Sequence, residues 1–262
     1  LFKNTDFSKL NTGMSSHEVR RRLDIYKAEC DVEQIANPSS FNLKYIDITV
    51  TEACSMKCEK CSNLMQYYLN PRNSDLSLLF KSIDKLMEVT DSIYEFKVVG
   101  GEPFVSNQIG KVINKLLTCK TIQTIVIYTN ATIIPKGENF ECLKNDKVFI
   151  EITDYGDLST RRDELIKLLE ANNIRHTSNV PIWTDSGTLK YQNATEEQLL
   201  DKFNNCCMND KTTILNGKLY RCPFSANAHN LNAIPPNKAD VVDLNDDNKT
   251  IGDLRNEIVL LH

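Results

Sequence analysis

The chain has 262 residues, 41% hydrophobic and 25% charged, and its 35 acidic and 31 basic residues give a net charge of -4. Such a composition supports a sizeable globular core, and the near balance of charge gives no bulk electrostatic reason to bind nucleic acid or an anionic membrane surface. No apolar stretch approaches the length of a membrane span and no basic-then-apolar leader precedes the fold, so a soluble cytoplasmic protein is expected.

Residues 1–42 are polar and read as an N-terminal extension with one helix over 15–30. Residues 45–50 alternate apolar and polar side chains, are rich in β-branched residues, and predict the first strand. A Cys-rich loop follows. Leu76, Phe80, Ile83 and Met87 recur at helical spacing and predict a helix over 76–87. A short strand at 96–99 ends in Gly100-Gly101, a helix is expected over 107–117, and strands over 122–128 and 148–152. Thr160 and Asp163 have the spacing of a capping box for a helix ending near Ala171, and 174–177 reads as a weaker strand.

Short strands alternating with helices indicate a parallel sheet with crossover helices. Periodicity alone leaves open whether it is doubly wound or curls into a full or partial barrel. The pattern changes near 180–195. Thr195 and Gln198 open a short helix, and 212–215, Asn216-Gly217 and 218–220 form a hairpin signal, because Asn-Gly supplies the positive φ angles of a type I′ turn. We therefore expect a core over 43–190 and a smaller hairpin-containing domain over 191–262. Residues 240–249, rich in Asp and Asn, read as a solvated loop, and 251–261 as a helix. The chain begins at Leu1 and stops at His262 inside that helical pattern, and is expected to be a segment of a longer polypeptide.

Nine cysteines in a Lys- and Glu-rich α/β chain favour metal or catalytic use over disulfides. Cys30, Cys119 and Cys142 stand alone and read as small buried hydrophobes. Cys54, Cys58 and Cys61 form a C-x3-C-x2-C group directly after the first strand, where ligand sites of parallel α/β folds lie. Soft thiolates suit iron–sulfur chemistry. A structural zinc site closes with four protein ligands, and an electron-transfer 4Fe-4S cluster takes four thiolates. Three thiolates leave one iron open, since no fourth Cys or His lies in the loop. Zinc with a fourth ligand from elsewhere in the chain is the competing reading of this spacing.

In Val98-Val99-Gly100-Gly101-Glu102-Pro103 the two glycines let backbone approach a ligand closely, and Glu102 adds an acceptor able to meet an ammonium group; the plain alternative is a strand-to-loop turn. Thr129-Asn130 closes the third strand, and Glu151, Thr153 and Asp154 the fourth. Ordinary strand-end polarity accounts for these five as readily as ligand contact does. Trp183 and Asp185 precede the change of pattern, and packing or solvent roles suit both.

The C-x3-C-x2-C loop after the first strand, followed one helix and one strand later by Gly-Gly-Glu, resembles the radical S-adenosylmethionine (SAM) superfamily. The resemblance implies a partial (β/α)6 TIM-like barrel in an α/β fold. It also implies a 4Fe-4S cluster on Cys54, Cys58 and Cys61, with SAM chelating the open iron. Gly100, Gly101 and Glu102 would contact the SAM amino group, and Asn130 and Glu151 its ribose or carboxylate. Two positions depart from the family's habit: Lys60 stands where an aromatic often precedes the third cysteine, and Ala131 where Thr-Asn is often followed by glycine. Cys206 or Cys207, then Gly217, then Cys222 is similar to the opening of a SPASM or Twitch domain, which implies an auxiliary 4Fe-4S cluster. Three free buried thiols are the bland alternative, and His229 reads more readily as a hydrogen-bonded residue than as a ligand. A radical SAM oxidoreductase or related radical-transforming enzyme also implies an electron donor such as a reductase, flavodoxin or ferredoxin. The segments at 61–68 and 220–224 are similar to radical SAM proteins of surface-polysaccharide or modified-sugar biosynthesis, implying a sugar or nucleotide-sugar substrate. A ribosomally made peptide is the alternative, weighed against by the lack of a clear strand pair in residues 1–40. A non-catalytic zinc- or cluster-stabilised binding module is the reading of another class.

Overall fold

In the computed structural model, the described residues are 40–181, 186–206, 208–209 and 211–261. The expected helix over 15–30, Cys30, Trp183, Asp185 and Cys207 lie outside them. Eight strands form one sheet: β1 (Asn42–Thr49), β2 (Ser92–Val99), β3 (Ile122–Thr129), β4 (Val148–Thr153), β5 (His176–Asn179), β6 (Thr212–Leu215), β7 (Lys218–Tyr220) and β8 (Val241–Asp243). Their order is β5-β4-β3-β2-β1-β6-β7-β8. The first six are mutually parallel, while β7 and β8 add antiparallel pairings at one edge.

The order from β1 to β5 never reverses. Beyond β5 the chain returns to the other side of β1, where β6 pairs in parallel, so the order reverses at β1 and the sheet stays open. The parallel α/β sheet and its open form agree with the sequence reading, while the sixth parallel strand lies beside β1 and not beside β5. The expected hairpin is present, with Asn216 at φ 49° and Gly217 at φ 82°. It does not start a sheet of its own, however: β6 pairs with β1, Ile46 opposite Thr212 and Ile48 opposite Ile214. Residues 240–249 are also more ordered than a solvated loop, because Val241–Asp243 pairs with β7 and buries Val242 and Leu244.

Alternation along the strands gives the sheet two unlike faces. Ile46, Ile48, Phe96, Val98, Ile125, Ile127, Ile150 and Ile152 belong to the main apolar core. Helices α1 (Leu76–Val89), α2 (Ile109–Leu117) and α3 (Arg162–Ala171) add Ile83, Leu86, Ile113, Leu116, Leu165 and Leu169 to it. The opposite face is polar, with Asp47, Glu95, Lys97 and Glu151 buried and Tyr45 and Tyr128 half-buried: Tyr45 lies opposite Glu95, Asp47 opposite Lys97, and Tyr128 opposite Glu151. Lys97 Nζ is 3.7 Å from Glu95 and 4.4 Å from the Tyr45 ring centre. Burial opposes its charge, but Tyr128, Asp47, Glu95 and Tyr45 together outweigh burial and hold the ammonium protonated. Strand β2 begins four residues earlier than its apolar run suggests, because Ser92-Ile93-Tyr94-Glu95 breaks the pattern with a buried acid.

Capping follows the sequence in part. Asp75 caps α1 through Leu78 N at 2.9 Å. Thr195 and Gln198 form the full reciprocal box on α4 (Glu196–Asn204). The box expected from Thr160 and Asp163 does not form; α3 starts after Arg161, which pairs with Glu164 instead. A helix not anticipated, α5 (Pro223–Asn230), has Cys222 at its N-cap and Pro at its first position. The last helix, α6 (Ile251–Leu261), follows β8. Cys119 and Cys142 are buried, as expected of isolated cysteines. Among the described residues no helix is long and apolar enough to cross a membrane.

Candidate functional site

The carboxyl ends of β1 to β4 meet at one edge of the sheet, and each carries part of the candidate site. The loop after β1 is closed at its neck by Glu52 N to Arg72 O (2.9 Å), Ser74 N to Val50 O (3.1 Å) and a bridge between Thr51 and Asn73. Inside it, Cys61 N donates to Cys58 O and Leu64 N to Cys61 O, while Lys57 Nζ reaches Met65 O at 2.9 Å. Buried Leu64 and Met65 pin the loop to the protein, leaving Cys54, Cys58 and Cys61 half-buried as free thiols. Burial pushes the Cys54 thiol up to about 11, with Glu102, Cys61 and Cys58 adding to it, and burial together with Cys61 raises Cys58. Among the described residues no three His, Cys, Asp or Glu side chains are gathered tightly enough to hold a single metal ion.

The glycine pair at the end of β2 is packed under this loop. Gly101 N donates to Thr51 O at 2.8 Å and Glu102 N to Ala53 O at 2.9 Å, carrying the β1–β2 ladder into the loop. A Cβ on Gly101 would stand 2.0 Å from Ala53 O and 2.7 Å from Cys54 Cβ, so no other residue fits. Glycine here sets the height of Cys54 above the sheet. Gly100 O accepts from Asn63 Nδ2 at 2.9 Å, tying in the far side of the loop.

Glu102 is wholly buried. Its Oε1 accepts from Thr129 Oγ1 (2.8 Å) and Phe104 N (3.1 Å), and its Oε2 from Asn130 N (2.7 Å). Burial nevertheless pushes its pKa up to about 7. The side chain expected to meet an ammonium group thus fastens the end of β2 to the end of β3. Asn130 in turn faces the cysteine loop, with Nδ2 3.1 Å from Ser55 Oγ and 3.9 Å from Cys54 Sγ. Thr132 Oγ1 and Ser55 Oγ share a 2.6 Å hydrogen bond beside it. Ala131 takes φ 55° with no exposed surface, a left-handed position that glycine tolerates at lower cost.

Glu151 lies across β4 and β5, its oxygens accepting from Thr177 Oγ1 (2.7 Å) and Asn179 Nδ2 (2.8 Å). Asp154 holds the turn at Gly156 and pairs with Arg162. Sequence reasoning missed Tyr155, which follows β4. Burial raises its phenol well above the ordinary range, and the charges of Cys58, Cys61, Cys54 and Glu102 raise it further. Its only signal was its place just past a strand end.

At the hairpin, Tyr220 pairs with Thr213, so Cys222 returns beside the chain leading into β6. Cys222 Sγ accepts from Ser225 N at 3.3 Å and Cys206 Sγ from Met208 N at 3.4 Å. Burial raises the Cys222 thiol, with a contribution from Cys206. Cys207 lies outside the described residues. His229 stacks 5.6 Å from the Tyr220 ring.

No family model matches the chain. It is 26% identical over 145 residues to the GTP 3',8-cyclase of Clostridium acetobutylicum, a match covering 50% of this chain and 45% of that protein. To the enzyme of the same name from Alkaliphilus oremlandii it is 27% identical over 141 residues, 46% of this chain and 41% of the other. The matches thus span less than half the length of these relatives. In fold it is similar to native anSMEcpe with bound AdoMet, at a TM-score of 0.50 and 13% identity over 80% of this chain and 79% of that one. In sequence the chain is thus related over part of its length to proteins named GTP 3',8-cyclase, and in fold it is similar to anSMEcpe.

Proposed function

We propose that the chain is the catalytic core of a radical SAM enzyme, with Cys54, Cys58 and Cys61 holding a 4Fe-4S cluster. One observation carries the reading: three free thiols on a single loop, held over a glycine pair where no side chain fits. The donor set suits the group, being three soft thiolates at the strand ends with no protein ligand to complete a fourth position in the loop. Cys54, Cys58 and Cys61 would hold the cluster, which would supply the electron for reductive cleavage of SAM and so the means of abstracting hydrogen from a substrate C–H. The chain's own work is positional. Gly100 and Gly101 seat the cysteine loop directly on β2, and Glu102 fixes the ends of β2 and β3. The polar inner face of the sheet, with Tyr45, Lys97, Tyr128 and Glu151, offers hydrogen bonds to a polyhydroxylated substrate.

A sugar or nucleotide-linked sugar is the proposed substrate class; the curated relatives, by name, act on GTP, a nucleotide carrying a sugar. Cys222, with Cys206 or Cys207, is proposed to hold an auxiliary cluster that accepts an electron from the substrate radical or helps bind substrate. A reductase, flavodoxin or ferredoxin would supply the electrons.

Anaerobic reconstitution with iron and sulfide analysis tests the first claim. Incubation with SAM and dithionite, read by 5′-deoxyadenosine formation, tests the second. Cys58→Ala should lose both cluster and product. A colourless wild-type chain carrying stoichiometric zinc would leave only a binding module.

A further inference from the structure

The side-chain amide of Asn130 is held by more contacts than a strand-end residue needs. Its backbone N donates to Glu102 Oε2 at 2.7 Å, and its Oδ1 accepts from Thr132 N at 3.1 Å and Thr132 Oγ1 at 2.7 Å. A backbone N–H can only donate, so the atom meeting Thr132 N is the carbonyl oxygen, and the NH2 group is the one turned to the cysteine loop. There it lies 3.1 Å from Ser55 Oγ and 3.9 Å from Cys54 Sγ. Asn130 is 8% exposed, so little water competes for these contacts. Cys54 Sγ has a second N–H beside it, from Met56 at 3.4 Å.

A donor aimed at a ligating sulfur draws electron density from it and favours the more negative, reduced form of the cluster. Hydrogen bonds to the sulfurs are among the levers that set iron–sulfur potentials. We infer that Asn130 is a positioning residue that tunes the cluster, its amide N–H donating to the Cys54 thiolate and easing one-electron reduction. This rests on the proposed cluster at Cys54, Cys58 and Cys61. The step is one electron from a low-potential donor onto the cluster; no bond is made or broken, and the added negative charge is what the N–H stabilises. Glu102 and Thr132 act at one remove by fixing the direction of the amide.

The test is a potentiometric titration of the reconstituted full chain without SAM, read by electron paramagnetic resonance, in wild type and Asn130→Leu. Leucine is close in size, uncharged and lacks the donor. At the wild-type midpoint, the reduced-to-oxidised ratio should fall about tenfold in the variant, a shift of about 59 mV to lower potential for a one-electron couple. An unchanged midpoint in a fully loaded variant overturns the inference and leaves the cluster reading intact. A wild-type chain that takes up no iron–sulfur cluster overturns both. Should Asn130→Leu fail to load, wild type with nitrogen-labelled asparagine decides: a hyperfine coupling between the reduced cluster and an asparagine amide is expected, and its absence refutes the assignment.

Discussion

In a Glu102→Gln chain the remaining carbonyl oxygen still accepts from Thr129 Oγ1 and Phe104 N, but an NH2 group faces the Asn130 N–H where Oε2 stood at 2.7 Å. In acid, where the carboxyl is protonated, losing that bond leaves the buried Asn130 N–H without its acceptor and costs about 1–3 kcal/mol. The compensating change is pH-dependent. Burial moves the Glu102 pKa from 4.5 to about 7, so the folded chain prefers the protonated carboxyl. The resulting stabilisation is complete below pH 4.5, falls as pH rises, and is gone above about 7. At about 1.4 kcal/mol per pH unit, that span amounts to about 3 kcal/mol. Wild type should therefore lose about 3 kcal/mol from this group between about pH 4.5 and 7, while the Gln variant does not. The two stability curves should converge near neutrality after a clear wild-type advantage in acid. Urea unfolding of the metal-free, reduced chain, followed by circular dichroism, measures this, and the titrations of other groups cancel in the difference. Parallel curves across the range would refute the assignment of Glu102 as a buried, proton-binding tie.

Gly101→Ala should cost about 1–3 kcal/mol through overpacking and lower iron uptake at least about tenfold, because its Cβ meets Ala53 O at 2.0 Å; normal loading would show that the glycine does not set the loop. Tyr68 is buried, donating to Asn227 Oδ1 at 2.7 Å and accepting from Asn230 Nδ2 at 2.9 Å. Tyr68→Phe should lose about 1–3 kcal/mol in chemical denaturation, since Asn227 keeps a buried acceptor without its donor. Cys222→Ala should spare SAM cleavage while lowering product formation and total iron; equal loss of both would place Cys222 at the first cluster instead.

The elements that pattern alone could name were those whose two sides differ locally. Residues 76–87 carry their apolar stripe in their own spacing, and Asn216-Gly217 carries its turn in its own φ preferences, so both appear where expected. The cysteine group was equally local, because three cysteines seven residues apart from first to last share one loop whatever the rest of the chain does. The edges of strands were less legible. The start of β2 was hidden because its polar face is buried rather than solvated, so Glu95 read as a breaker. Residues 241–243 read as loop because three residues between Asp-rich neighbours carry too little periodicity.

Partnership across the sheet belonged to the tertiary structure. That β6 docks on β1, some 165 residues earlier, depends on which sheet edge is open, and no local pattern encodes that. The same holds for the polar site residues. The sequence placed Glu102 and Asn130 at adjacent strand ends and so at one site. Their directions, however, are fixed by hydrogen-bond partners 27 and 76 residues away, which made Glu102 an internal tie and turned Asn130 toward Cys54. A hydrophobic side chain declares its destination by its neighbours in sequence, since burial is non-directional. A polar one is committed only when a particular atom is brought within hydrogen-bonding distance, and the fold alone supplies that atom.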